Sequence, residues 1–375
     1  MELDASLYWL ALGHTPGLAA RLTARLLRKF HTPEAVFRAS LTELEACQLP
    51  PPAAQAIASQ QGLKPAEKEL QRLRGLGIRL LNWNEEQYPR LLREIYDPPP
   101  LLYVRGDPAV LARHAIAMVG TRRPTLYGNQ MAERLARDLA DRGLVIVSGL
   151  ARGIDSSAHK GACAAVRGAT VGILGNGLDI VYPKENKKLY ALVEQRGAII
   201  TEFPLGFHPA PENFPVRNRI VAGMSLGVVV VEGAQYSGSL ITGRLALEFS
   251  REVFGIPGNV TQPTSFAPNQ LIKQGAKLVT SWEDVVEELP TEIRAELFPV
   301  ETTSVEERAS LFEQALTPVE KKLYDLLSTD EPRQVDEIVE RSELSSSEVL
   351  VTLFDLEMKG IVRQMPGKQF VRVLV

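Results

Sequence analysis

From residue 115 to about residue 258 the chain repeats one unit: a short run dense in valine and isoleucine, a glycine-bearing turn, then a helical stretch. AIAMVG leads into TRRPTLYG, LVIVSG into LARGID, and ATVGILGNG into LDIVYPKEN, while GAIITEFP, LGVVVVEG and REVFGIPG supply further strands. The runs are nearly continuous in apolar residues instead of alternating, the pattern demanded by burial on both faces of a parallel sheet. Strand, turn and helix in repetition define a doubly wound α/β domain with a mostly parallel sheet.

This pattern fills only the middle of 375 residues, and a 41.3 kDa chain exceeds one average domain. Residues 1–75 read as a small all-helical unit, punctuated at Gly13-His14-Thr15-Pro16-Gly17, Thr32-Pro33 and Pro50-Pro51-Pro52. Residues 76–290 hold the α/β domain, entered through a connecting segment in which the short strands IRLLNW and LLYVRG flank the stiff Asp97-Pro98-Pro99-Pro100. Residues 291–316, acidic and poor in aromatics, read as a linker. In 317–375, Thr317 with Glu320 and Ser345 with Glu348 fit the capping box and open helices near 318–328 and 346–359. A turn at Pro366-Gly367 between IVRQM and QFVRV completes a winged helix.

No run approaches the roughly 18 apolar residues of a membrane span, and no leader pattern opens the sequence, so a cytoplasmic protein is expected. Two distant cysteines, Cys47 and Cys163, give no disulfide framework, and His159 and His208 lack metal-ligand spacing; neither metal nor cofactor is expected. The net charge of −3 hides an asymmetry. Residues 115–258 carry 16 Lys and Arg against 12 Asp and Glu, and residues 291–375 carry 10 against 17. Fields act over about a Debye length, roughly 8 to 10 Å, so the basic middle decides the partner.

In an open parallel sheet, ligands bind outside the carboxyl ends of the strands. Those positions here are Gly120-Thr121-Arg122, Ser148-Gly149, Gly175-Asn176-Gly177 and Ser237-Gly238-Ser239. Backbone N–H groups there approach an anion, and helix N-termini favour negative ligands. The Walker A pattern is absent, and Gly175-Asn176-Gly177 lacks the third glycine of a dinucleotide fingerprint. The loops instead carry long cations: Arg122 and Arg123, then Lys184, Lys187 and Lys188, then Arg217 and Arg219 around Asn218. Tyr182 beside Lys184 offers a ring for a base. Cations with an aromatic fit single-stranded nucleic acid, which needs backbone neutralisation and stacking.

The blocks VGTRRPTLYG, SGLARGIDSSAH, GNGLDIVYPKEN, FPVRNRIVAG, SGSLITGRLALE, REVFGIPG and NQLIKQGA resemble, in order, those of the DNA-processing protein A family (DprA/Smf). The resemblance runs through residues 80–285, and the flanking units match the family's three-part layout, with an N-terminal SAM-like helical domain and a C-terminal winged helix. It implies an extended Rossmann-like fold that forms a homodimer through the Rossmann domain. It also implies a protein that binds and protects single-stranded DNA and loads the RecA recombinase onto it in natural transformation, the competence-linked route to homologous recombination. It assigns Arg122, Lys184, Arg217 and Arg219 to the DNA site, and makes MSLGVVVVEG and the helix near 239–250 candidates for subunit pairing.

A rival reading is a nucleoside-phosphate hydrolase, with Ser148 as nucleophile beside Asp155 and His159. Ser148 lacks the GxSxG context of a strained elbow, Asp155 and His159 can pair along one helix without chemistry, and Glu232 can simply bind loop backbone; no enzyme is expected. The helix SSSEVLVTLFDLEMKG carries Glu348, Asp355 and Glu357 against Lys359, and acid facing phosphate is repulsive. Residues 317–375 are therefore expected to contact protein, or DNA only marginally.

Overall fold

In the computed structural model the described residues are 5–298, 316–328, 332–359 and 361–372. The chain divides into two compact units, Met1–Phe298 and Pro299–Val375. The first is built on a nine-stranded sheet: β1 Arg79–Asn82, β2 Leu101–Gly106, β3 Ala115–Val119, β4 Val145–Ser148, β5 Ala169–Ile173, β6 Gly197–Thr201, β7 Gly227–Val230, β8 Glu252–Gly255 and β9 Lys277–Leu278. Their spatial order is β1-β2-β6-β5-β4-β3-β7-β8-β9. All neighbours from β6 to β9 are parallel, whereas β2 lies antiparallel to both β6 and β1. The segment at 78–114 is thus part of the sheet itself and caps one edge.

The continuous apolar runs are explained by where alternate side chains go. Ile116, Met118, Ile146 and Val229 enter one core, while Ala117, Val119, Val147, Val228 and Val230 enter the other. Successive residues of a strand point to opposite faces, so a sheet packed on both faces leaves few positions for polar side chains, and Ser148 and Thr170 are accommodated by donating to the Met118 and Ile146 carbonyls. Helices α8 Leu126–Asp141 and α9 Ile154–Ala164 cover the first face; α11 Asn213–Gly223, α12 Gly238–Glu248 and α13 Phe266–Lys273 cover the second. Strand β7 is internal, with Val228, Val229 and Val230 fully buried between β3 and β8. MSLGVVVVEG is therefore core and offers no surface to a second subunit, whereas α12 leaves Ile241 and Leu247 exposed.

Before the first strand come α1 Ala5–Gly13, α2 Ala20–Phe30, α3 Pro33–Arg38, α4 Leu41–Glu45, α5 Pro51–Ala58 and α6 Leu63–Gly75. Their apolar faces do not close a core of their own. Leu7, Leu10, Leu26 and Phe37 share one cluster with Tyr103 of β2 and with Leu189, Tyr190 and Val193 of α10 Lys187–Arg196. A polar pin holds this junction: buried Glu69 of α6 accepts hydrogen bonds from Tyr103 Oη at 3.1 Å and the Leu205 backbone N–H at 2.6 Å, and its carboxylate also meets His14 Nε2. Glu69→Ala strands these donors, each at about 1–3 kcal/mol. A urea midpoint lowered by that order is expected, and an unchanged midpoint would remove the pin.

A short helix, α7 Arg90–Arg93, follows β1, and α14 Trp282–Glu287 and α15 Thr291–Leu297 close the unit. Ile293 and Leu297 of α15, within the stretch expected as linker, pack on the core under α8, so this unit reaches Phe298; residues 299–315 lie outside those described. No helix among the described residues is long and apolar enough to cross a membrane.

The second unit holds α16 Pro318–Leu326, α17 Val335–Ser342 and α18 Ser346–Met358 with a three-stranded sheet of β10 Arg333–Gln334, β11 Val362–Met365 and β12 Gln369–Arg372 in the order β10-β12-β11. Both expected capping boxes are present, Thr317 with Glu320 and Ser345 with Glu348. Gly367 at φ +90° turns the β11–β12 hairpin. Leu323, Ile338, Val349, Leu353 and Phe370 form its separate core.

Candidate nucleic-acid interface

From β3 the chain steps through β4 and β5 to β6 on one side, then returns to β7 on the other side of β3. A crevice opens outside the carboxyl ends of β3 and β7 where that direction reverses. Thr121 N–H donates to the Glu232 carbonyl across it at 2.7 Å. The Glu232 carboxylate folds inward, accepting from the Thr125 N–H at 2.9 Å and from the Thr125 hydroxyl, and so braces the start of α8 as loop-backbone bonding required.

Two adjoining cavities sit in this crevice. The larger, about 480 Å³, is bounded by Gly120, Thr121, Arg122 and Arg123 after β3, by Asp155, by Arg217 and Asn218 of α11, and by Ser237, Gly238 and Ser239 at the start of α12. The smaller is lined by Gly149, Arg152, Gly175, Asn176, Tyr182 and Phe214, and both share Arg122, Ala151 and Phe214. The partition between them is a stack. Tyr182 lies over Phe214 with ring centroids 6.0 Å apart and planes 29° apart, and the Arg122 guanidinium sits 5.1 Å from the Phe214 centroid. Tyr182 and Arg122 are exposed, so aromatic and cationic faces meet solvent together.

Helix α11 explains which of its residues reach the site. Positions three and four apart share a face, so Phe214, Arg217 and Asn218 point the same way. Arg217 is 5% exposed and its Nε has no hydrogen-bond partner among the described residues. Its guanidinium lies against the backbone of Gly149, where a Cβ would fall 1.7 Å from Nη1. Burial opposes the Arg217 charge and Asp155 supports it. Burial likewise raises the pKa of Asp155, while Arg217 and the Ala151 and Gly149 N–H groups favour its charged form. The larger cavity thus has a fixed, desolvated guanidinium at its floor.

Arg219 does not join it. Two residues along a helix are about 200° apart, and the Arg219 side chain points to the other side. Its Nη2 lies 2.6 Å from Glu202 and its Nε 3.2 Å from Asp97, with the side chain only 6% exposed. Both carboxylates hold it as a structural ion pair, which corrects its assignment as a cation presented to phosphate. Ser148 also drops out: it is fully buried and its hydroxyl donates to the Met118 carbonyl at 2.6 Å. Gly120 and Gly177 serve packing, since a Cβ would meet Ile154 at 2.5 Å and the Pro204 carbonyl at 2.6 Å respectively. At Gly175 a Cβ would fall 3.3 Å from the Phe214 ring. Ser237 caps α12 and its hydroxyl lies 2.8 Å from that of Ser239; a Cβ on Gly238 would meet open space. Lys184 is exposed two residues beyond Tyr182 and lines neither cavity.

The hydrolytic constellation does not assemble. Ser148 Oγ is spent on a carbonyl, and His159 Nδ1 lies 2.7 Å from Thr170 Oγ1 in the core. Burial pushes the His159 imidazole from its usual 6.5 down to about 3. Because the folded pKa lies below the unfolded one, stability is complete above about pH 6.5 and falls as the pH drops toward 3; by pH 5 the loss is about 2 kcal/mol. Thermal unfolding between pH 7 and 5 checks this, with His159→Asn expected to flatten the profile.

Comparison with known proteins decides the family. The model of the DNA recombination-mediator protein A family matches residues 79–290, and that of the DprA winged helix domain matches residues 307–368. The chain belongs to the DNA recombination-mediator protein A family. It is 40% identical to Protein Smf of Escherichia coli over 291 residues, covering 77% of this chain and 76% of that one. It is 44% identical to DNA processing protein DprA of Bacillus subtilis over 215 residues, 57% of this chain and 72% of that one. The X-ray structure of DNA processing protein A from Streptococcus pneumoniae superposes with a TM-score of 0.69 at 34% identity, over 77% of this chain and 99% of that one. DNA processing protein A from Helicobacter pylori, whose structure was described for its single-stranded DNA binding mode, gives 0.51 at 32%, over 56% and 94%.

Membership of the DNA recombination-mediator protein A family agrees with the extended, doubly wound sheet and the winged helix. Phe214 and Arg152 were missed in the sequence. Reading PVRNRIVAG as helix would have found Phe214, three places before Arg217; nothing local marked Arg152, which lines the smaller cavity and pairs with Glu185.

Proposed function

We propose that this chain binds single-stranded DNA in the paired cavities, with one strand's bases against the Arg122–Phe214–Tyr182 stack and its phosphates toward Arg217, Arg122 and the start of α12. The observation carrying this reading is the buried Arg217 guanidinium, its Nε without a hydrogen-bond partner among the described residues, beneath an exposed aromatic and cationic wall. Stacking tolerates any base and phosphate contacts carry no sequence, so weak sequence preference follows. A duplex keeps its base faces covered, so it has little to offer the stack.

By kinship, the role is DNA processing in natural transformation: holding and protecting an incoming strand and passing it to RecA, with two copies pairing through the Rossmann domain. The Smf and DprA relatives and the Helicobacter pylori protein support the first part. Electrophoretic retardation of a short oligonucleotide, against its duplex at two ionic strengths, tests binding; equal retardation of both forms sinks it. Faster RecA-dependent ATP hydrolysis on strands precoated with single-strand-binding protein tests the transfer, and light scattering tests the dimer.

Gly149→Ala probes the niche. A methyl group there displaces the Arg217 guanidinium without removing any charge. Oligonucleotide affinity is expected to fall about tenfold, as for one lost charged contact of about 1.5 kcal/mol. Wild-type affinity in a folded Gly149→Ala chain would detach Arg217 from the strand.

A further inference from the structure

Helix α18 of the second unit carries two apolar faces. Val349, Leu353 and Leu356 are fully buried in that unit's core. Leu350, Val351, Phe354 and Met358, by contrast, are 51 to 73% exposed. At about 3.6 residues per turn these four fall within an arc of about 100° and run for about 12 Å along the axis. Single exposed apolar residues are ordinary, but four large ones on one helical stripe are an interaction surface.

Charge restricts what covers it. Glu357 borders the stripe on one side, and Asp355 and Glu348 lie beyond Val351 on the other. Lys359, just past the helix, is drawn away to Glu320 at 2.6 Å. Glu348 is held in its ionised form by the Ser345 hydroxyl and N–H, and Glu357 accepts from the Gln364 N–H at 3.0 Å. Phosphate is repelled by such a border, and a second copy would bring the same carboxylates face to face.

We propose that this stripe docks a cationic amphipathic helix of a partner protein, its apolar side against Leu350, Val351, Phe354 and Met358 and its Lys or Arg residues against Glu348, Asp355 and Glu357. This is helix recognition through spaced apolar anchors, with charge fixing the register. It is independent of the DNA site in the other unit.

The test titrates the full chain with a fluorescent 14-residue Leu/Lys amphipathic helix, and with a scrambled peptide of the same composition, by anisotropy. Wild type is expected to bind the amphipathic form and not the scrambled one. The double variant Phe354→Ser, Met358→Ser should bind it at least about tenfold more weakly, since each anchor loses over 1 kcal/mol of burial. The triple variant Glu348→Gln, Asp355→Asn, Glu357→Gln should lose the salt-sensitive part of the affinity. All three proteins should retard oligonucleotides equally. The double variant should melt like wild type because Phe354 and Met358 face solvent, whereas the triple variant should melt slightly lower because Glu348 and Glu357 lose charged acceptors for the Ser345 and Gln364 N–H groups. Undiminished peptide binding by the double variant overturns the proposal, as does equal binding of the scrambled peptide. Loss of oligonucleotide retardation would make the stripe a DNA surface, and loss of self-association would make it a contact between copies; either also overturns it.

Discussion

Replacing Arg219 by alanine is expected to lower the stability of the first unit by about 3–5 kcal/mol, the cost of removing one member of a buried ion pair. The loss arises because Glu202 and Asp97 would then stand in a poorly hydrated site without a counter-charge. Burial already raises the Glu202 pKa, and Arg219 is the main group opposing that rise. Unfolding in urea measures the loss. The same variant, held under folding conditions, should retain the wild-type dependence of oligonucleotide affinity on salt. A stable variant whose salt slope fell by about 0.7, one phosphate's worth on a single strand, would return Arg219 to the DNA site.

Phe214→Ala and Arg122→Ala are expected to weaken oligonucleotide binding through different terms. A lost stacking platform is worth about 1–3 kcal/mol per base, or about 5- to 150-fold in affinity. Removing a ring changes no charge, so Phe214→Ala should leave the salt slope alone. Arg122→Ala should lower it by about 0.7. The guanidinium rests on the Phe214 ring, so the double variant should lose less than the sum, with a coupling of about 0.5–3 kcal/mol. Additive losses would place the two residues on separate contacts. Equal slopes in all four proteins would exclude Arg122 from the phosphate path.

The corrections at the site share a cause. Arg217 and Arg219 flank one asparagine, so the sequence presents them as a pair. On a helix the pair separates, and the partners that claim Arg219 come from residue 97, in the proline-rich connecting segment, and from residue 202, after β6. Neither partner is within local reach along the chain. Glycine was ambiguous in the same way: Gly149 leaves room for Arg217, whereas Gly120 and Gly177 leave room for Ile154 and a Pro204 carbonyl. Only the neighbours distinguish these cases.

The parallel strands from β3 to β8, their strand-end loops and the winged-helix caps were legible along the chain, because each depends on periodicity or on residues within four places of one another; the antiparallel edge of β1 and β2 was not. Burial on both faces writes itself into the inner parallel strands as nearly unbroken apolar runs, such as AIAMV in β3 and GVVV in β7. Tertiary structure alone decided that the N-terminal helices finish their core against β2 and α10, that β7 is interior, and which arginine faces the crevice. Those outcomes depend on contacts between distant segments, and direction in space follows from the packing of α11 on the sheet, which spacing along the chain does not encode.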